Sequence, residues 1–196
     1  MLRVALGTER QHTKPTQDER RNRSLMVNLN NFLPRFEANA TVVASLFRGI
    51  SDLQARWRPN AEAWSLLEVV NHLYDEERED FRQRVDLTLH KPGTPWPPIH
   101  PSAWVTERGY NERDPQTSLD AWLQERHASL VWLRSLQNPN WERSEVSPWS
   151  GVTHAGDLLS AWLAHDHLHI RQINELHYAY IKAISKPFDV GYGGDW

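Results

Sequence analysis

Apolar residues recur at steps of three and four along four long runs of this chain, the period of helices that each bury one face. The first run spans Leu29 to Asp52, with Phe32, Phe36, Val43, Phe47 and Ile50 on its stripe. Pro34 interrupts it near the start. A proline sits most easily in a first turn, so the helix proper is expected to begin a few residues after Leu29. Pro59 and Asn60 mark a turn. The second run, Ala61 to Leu89, carries Leu66, Leu67, Val70, Leu73, Phe81 and Val85, and its middle is acidic from Asp75 to Asp80. The third run goes from Gln116 to Leu136, and Asn138-Pro139-Asn140 ends it. The fourth starts at Thr153, a good N-cap residue, and continues to Ile184, short of Pro187.

Two connections interrupt this pattern. Lys91 to Pro115 holds five prolines between Pro92 and Pro101, which forbids a helix there. It also carries Trp96, His100, Trp104 and Tyr110. A segment this long in a compact domain is more often functional than idle. Trp141 to Val152 has room for a short hairpin or coil. No alternating strand pattern of consequence and no internal repeat is present. The expected fold is all-α, a four-helix bundle of the up-down-down-up type with a long Pro-rich crossover between helices two and three. Residues 1–25 are polar and charged and read as an extension outside the core. Met26 is a second plausible start, and the bundle domain occupies 26–196.

Composition narrows the chemistry. The chain has 196 residues, 39% of them hydrophobic, enough for one domain with a sizeable core. The net charge of −3 leaves no basic stripe for nucleic acid or an anionic membrane. No run is long or apolar enough to span a bilayer. The short apolar start reads as no signal peptide, so a cytoplasmic protein is expected. The absence of cysteine excludes disulfides, a thiol nucleophile and thiolate ligands. A metal would have to be held by His, Asp, Glu, backbone or water.

The ten histidines are then the place to look. His165 and His169, in Ala164-His165-Asp166-His167-Leu168-His169, lie one turn apart on one face of helix four. They continue the row Leu158, Trp162, His165, His169, Gln172, so they are at least partly buried. His72 lies between apolar neighbours on helix two. Two imidazoles from one helix and one from another form a three-ligand site with open positions. Glu68 and Glu76 lie one turn either side of His72. Either could accept the proton of a ligand imidazole, and Glu76 could also be a fourth ligand or the group that handles protons. His167 points roughly opposite the pair and is expected at the rim. Asp166 either orients a ligand or is exposed. Trp96, Trp104, Tyr110 and Trp196 could close an apolar lid, with His100 on the same loop.

Two segments carry a family resemblance. Ala63-Trp64-Ser65-Leu66-Leu67-Glu68-Val69-Val70-Asn71-His72-Leu73 resembles the helix-two signature of the DinB-like, YfiT-like superfamily. His165-Asp166-His167-Leu168-His169-Ile170-Arg171-Gln172-Ile173 resembles its helix-four signature, and the closing Gly193-Gly194-Asp195-Trp196 resembles the tail of one branch. The resemblance implies a four-helix bundle, often a homodimer. It implies one divalent ion (Zn, Ni or Fe) on three histidines, here His72, His165 and His169. It also implies a small-molecule substrate, and in some relatives a low-molecular-weight thiol as cosubstrate. The expected activity is a metal-dependent transferase using such a thiol, or a hydrolase. The alternatives are a metal-binding bundle that senses or stores an ion without turnover, and a bundle whose histidines only hydrogen-bond in the core.

Overall fold

The computed structural model describes residues 28–147 and 151–194. The polar extension, Met26 and Trp196 lie outside the described residues. Among the described residues, seven α-helices and one hairpin follow in order: α1 (Leu29–Leu46), α2 (Asp52–Arg56), α3 (Leu66–Asp75), α4 (Arg82–His90), α5 (Pro101–Glu107), α6 (Pro115–Ser135), β1 (Ser144–Ser147), β2 (Gly151–His154) and α7 (Ala155–Ile184). Residues Glu76–Phe81 join α3 to α4 through a π-helical turn, so the two form one continuous arm. Short 3-10 turns follow α5 and α7.

The four arms of the bundle are α1, α3–α4, α6 and α7. Their polar contacts give their directions. Asn71 pairs with Ser118 and Glu77 with Arg126, so arms two and three run parallel. Phe36 meets Trp162 and Asn39 meets Asp166, so arms one and four are parallel too. His72 faces His169 while Phe81 faces Trp162, so arms two and four run against each other. This is the up-down-down-up arrangement. Parallel neighbours require the long connection through residues 91–114 to return the chain to the starting end.

Local chemistry explains where each arm begins, and several boundaries differ from the sequence reading. α1 starts at Leu29, not after Pro34: Asn28 caps it by accepting from the Asn30 N–H, and Pro34 is inside it. Pro34 and Asn30 are both on the exposed side, so the Asn30 carbonyl that loses its partner faces solvent. The first run then breaks at Gly49, whose φ of 77° suits glycine, and restarts as α2 under a Ser51 cap. Arm two begins at Leu66 rather than Ala61, because Asn60 Oδ1 accepts from the N–H groups of Glu62 and Ala63 and holds a turn there. Ser65 and Glu68 then close a reciprocal capping box. Asp114 caps α6, with Pro115 in its first turn. Thr153 belongs to β2, and α7 is capped one residue later, where Asp157 accepts from the His154 N–H. The connector is a hairpin, with Val146 opposite Val152.

Two larger apolar clusters fill the middle of the bundle among the described residues. One gathers Leu66, Leu67, Val70, Trp122 and Ile173, the other Phe36, Phe81, Leu133, Leu159 and Trp162. Among the described residues no helix is long and apolar enough to cross a membrane.

Between these clusters lies Arg126, 1% exposed. Its guanidinium donates to both oxygens of Glu77 at 2.8 Å and to both oxygens of Asp166 at 2.7 Å. Trp162 Nε1 donates to Glu77 and Asn39 Nδ2 to Asp166. One residue thereby joins all four arms. Replacing Arg126 with Met leaves two buried carboxylates without their cation, a loss of roughly 3–5 kcal/mol. Urea denaturation is expected to show a midpoint lowered to match with an unchanged slope. A variant within about 0.5 kcal/mol of wild type would contradict this account of the network.

Candidate metal centre

His72 comes from α3, and His165 and His169 from successive turns of α7. Their ring nitrogens converge. His165 Nε2 lies 3.4 Å from His72 Nε2 and 3.1 Å from His169 Nε2. One ligating atom from each residue lies within 4.8 Å of the other two. Nitrogens sharing an ion at about 2.0–2.1 Å are about 3.3 Å apart as neighbours in a tetrahedron and about 2.9 Å apart in an octahedron. The observed spacings fit such a donor set. Glu76 lies outside this group.

Protonation suits the same purpose. Burial, then the neighbouring imidazoles, push His72 down to about 2. Burial, His169 and Arg126 push His165 down to about 3. Burial lowers His169 as well, against Gln172 and Asp166, which raise it. All three rings are therefore neutral near pH 7, the form in which imidazole binds a cation. Gln172 Oε1 lies 2.7 Å from His169 Nδ1. That bond puts the ring proton on Nδ1 and leaves the Nε2 lone pair turned toward the cluster. His72 Nδ1 is buried with no hydrogen-bond partner.

The walls are aromatic. The Trp64 ring lies 5.0 Å from His72 and is parallel to His169 at 6.5 Å. Phe81 lies 5.1 Å from His165. Low polarity around the imidazoles explains their depressed basicity. Asp166, beside His165 in sequence, is 2% exposed and committed to Arg126 and Asn39, so it is neither exposed nor bonded to an imidazole.

Several expectations change. Glu68 is buried but belongs to Arg58 and the Ser65 cap, so it does not serve His72. Glu76 is 5% exposed, and its Oε1 is also without a hydrogen-bond partner. Tyr110 and Trp104 are core residues, not a lid. The Tyr110 hydroxyl donates to Asp75, and the Arg108 guanidinium lies 3.9 Å over the Trp104 ring. His100 is exposed, as is His167, the latter as expected. The sequence reading missed Trp64, Gln172 and Arg126 as supporting residues. Trp64 and Gln172 stand inside the two quoted signatures. Arg126 gave only a faint signal, a cation at a position buried among Trp122, Ser129 and Leu130 of arm three.

An all-helical bundle that gathers three neutral imidazoles from two antiparallel arms is the class that fold and site define. The chain belongs to the DinB superfamily, whose sequence pattern matches residues 35–173, a span that includes all three histidines. In fold it is similar to YfiT from Bacillus subtilis, described as a probable metal-dependent hydrolase with an unusual four-helix bundle topology. The two share 19% identity at a TM-score of 0.68, over 88% of this chain and 94% of that one. No curated protein matches the chain at a significant level.

The neutral imidazoles have a consequence for stability. In the unfolded chain they protonate near 6.5, and in the fold only near 2 and 3 for His72 and His165. Their contribution is present above pH 6.5 and is lost as pH falls below it. Each group removes about 1.4 kcal/mol per pH unit once fully titrating in the unfolded chain. Chelator-treated protein is expected to lose stability steeply between pH 6.5 and 4.5, and His72→Gln/His165→Gln to follow a shallower line. Identical slopes would contradict neutral burial.

Proposed function

We propose that this protein is a divalent-metal-dependent enzyme, with His72, His165 and His169 holding the ion through Nε2. The convergence of three neutral ring nitrogens carries this reading. Three protein ligands with no fourth in the group leave open positions, the mark of sites that do chemistry rather than hold structure. The Arg126 network supports it structurally, since Arg126 ties Glu77 of arm two to Asp166, the neighbour of His165 on α7, and so holds the two histidine-bearing arms in register. The donor set suits Zn, Ni or Fe, since neutral imidazole binds all three.

A cation held there supplies charge that acidifies water or a thiol and polarises a substrate carbonyl or leaving group. The chain's own groups do the rest. Gln172 fixes the His169 ring. Trp64 and Phe81 keep water and competing ligands from the imidazole edges and offer an apolar face to a small-molecule substrate. Glu76, one turn beyond His72 on arm two, is the group assigned to proton transfer. Hydrolysis is the reaction favoured here, supported by the likeness to YfiT. Transfer to a low-molecular-weight thiol and a homodimer rest on the family resemblance.

Elemental analysis of untagged protein tests the reading. About one ion per chain is expected, lost in His165→Ala/His169→Ala. Gln172→Leu is expected to keep the fold and weaken binding about 10–100-fold. No ion in the wild type, together with unchanged thermal stability on adding Zn²⁺ or Ni²⁺, would leave a bundle whose histidines only hydrogen-bond in the core.

A further inference from the structure

Beyond His72, arm two carries Glu76, Asp80 and Arg84 at successive steps of four, and all are at least nine-tenths buried, at 5%, 7% and 8% exposed. In a regular α-helix such a row drifts around the axis, because four residues overshoot one turn. The π-helical turn at Glu76–Phe81 takes up an extra residue and rotates the following positions back. It thereby keeps Asp80 and Arg84 in the interior with His72 and Glu76. Such turns concentrate at functional sites.

The contacts within this row are unequal. Arg84 Nε lies 2.6 Å from Asp80 Oδ1, and the Arg84 guanidinium lies 5.2 Å from the Trp96 ring centroid. Glu76 has no cation of its own, and its Oε1 is buried without a hydrogen-bond partner one turn from Asp80. Two buried carboxyls beside a single guanidinium balance in charge only if one of them carries a proton. The pair titrates as a unit. Burial first, then Asp80, push Glu76 up to about 9, with Arg84 opposing and Asp75 adding to the rise.

We propose that Glu76 and Asp80 form an acid pair sharing a single proton, and that the pair relays protons for whatever is bound at the imidazole cluster. Arg84 holds Asp80 as the charged member, which leaves the proton on Glu76, the member one turn from His72. A proton leaving a bound water or thiol forms an O–H bond on the Glu76 carboxyl, while the O–H bond in the pair shifts to Asp80. The nucleophile gains the charge that Asp80 loses. The reverse shift returns the proton to a departing group. The relay rests on the metal-site reading, but the acid pair does not.

Infrared difference spectroscopy on the metal-free full chain separates the two. At pH 7 the wild type is expected to show the carbonyl band of a protonated carboxyl, sensitive to D₂O. The band is expected to be lost in Glu76→Gln and lost in Asp80→Asn, where the Arg84 charge falls to Glu76 and ionises it. No band in the wild type, or a band that survives Glu76→Gln, would overturn the pair. Zn²⁺ alone is then added to the wild type. Growth of the band as Asp80 takes up the proton, with about one proton fewer released per chain than in Glu76→Gln, is the result expected of the relay. An unchanged or lost band with Zn²⁺ bound would overturn it. Failure of Zn²⁺ to bind while the band persists would overturn the metal reading and the relay, and leave the pair standing.

Discussion

A buried guanidinium with two carboxylates is the constraint on which this bundle depends. Arg126 cannot shed its charge, and Glu77 and Asp166 take four donors from it. Such a group is costly to bury and fixes geometry because every partner must be in place. Asp166 sits between His165 and His167 on α7, and Glu77 follows Glu76 on arm two. The register that satisfies Arg126 is therefore the register that brings His72 opposite His165 and His169. An apolar core of the same volume could slide by a fraction of a turn, whereas this one is pinned at the level of the imidazoles.

The same register explains the acidic middle of arm two. Six consecutive polar or charged residues from Asp75 to Asp80 would ordinarily lie on a solvated face. Here Asp75 takes Arg78, Arg108 and Tyr110, Glu77 takes Arg126, and Asp80 takes Arg84. Asp75 also ties the long crossover to arm two, so the parallel placement of arms two and three has a polar anchor as well as an apolar one. Glu76 alone has no cation, and it stands one turn beyond His72. The π turn makes this possible by turning both Glu76 and Asp80 inward.

Much of this was legible in the chain. Period and proline placement gave the four arms, the crossover and their class, because one buried stripe per helix is a strong local signal. His72, His165 and His169 were legible because i, i+4 spacing fixes two of them on one face and apolar neighbours turn the third inward. What stayed hidden is long-range. Nothing local shows that Arg126 of arm three meets Glu77 and Asp166, since each alone reads as surface charge. Glu68 looked equivalent to Glu76, and only the capping box with Ser65 and the pair with Arg58 separates them. The aromatic residues of the crossover read as a lid because a long proline-rich segment hides its own anchoring. Tyr110 and Trp104 are held down by Asp75 and Arg108.

The central claim is that one ion is shared by three Nε2 atoms that the Arg126 network has already brought together. Anomalous diffraction from crystals grown with one equivalent of Zn²⁺ tests it directly. The account requires a single strong peak at about 2.0–2.1 Å from Nε2 of His72, His165 and His169, with those rings oriented as in the metal-free protein. A peak elsewhere, a peak on fewer than three of these nitrogens, or no peak at full Zn²⁺ would contradict it.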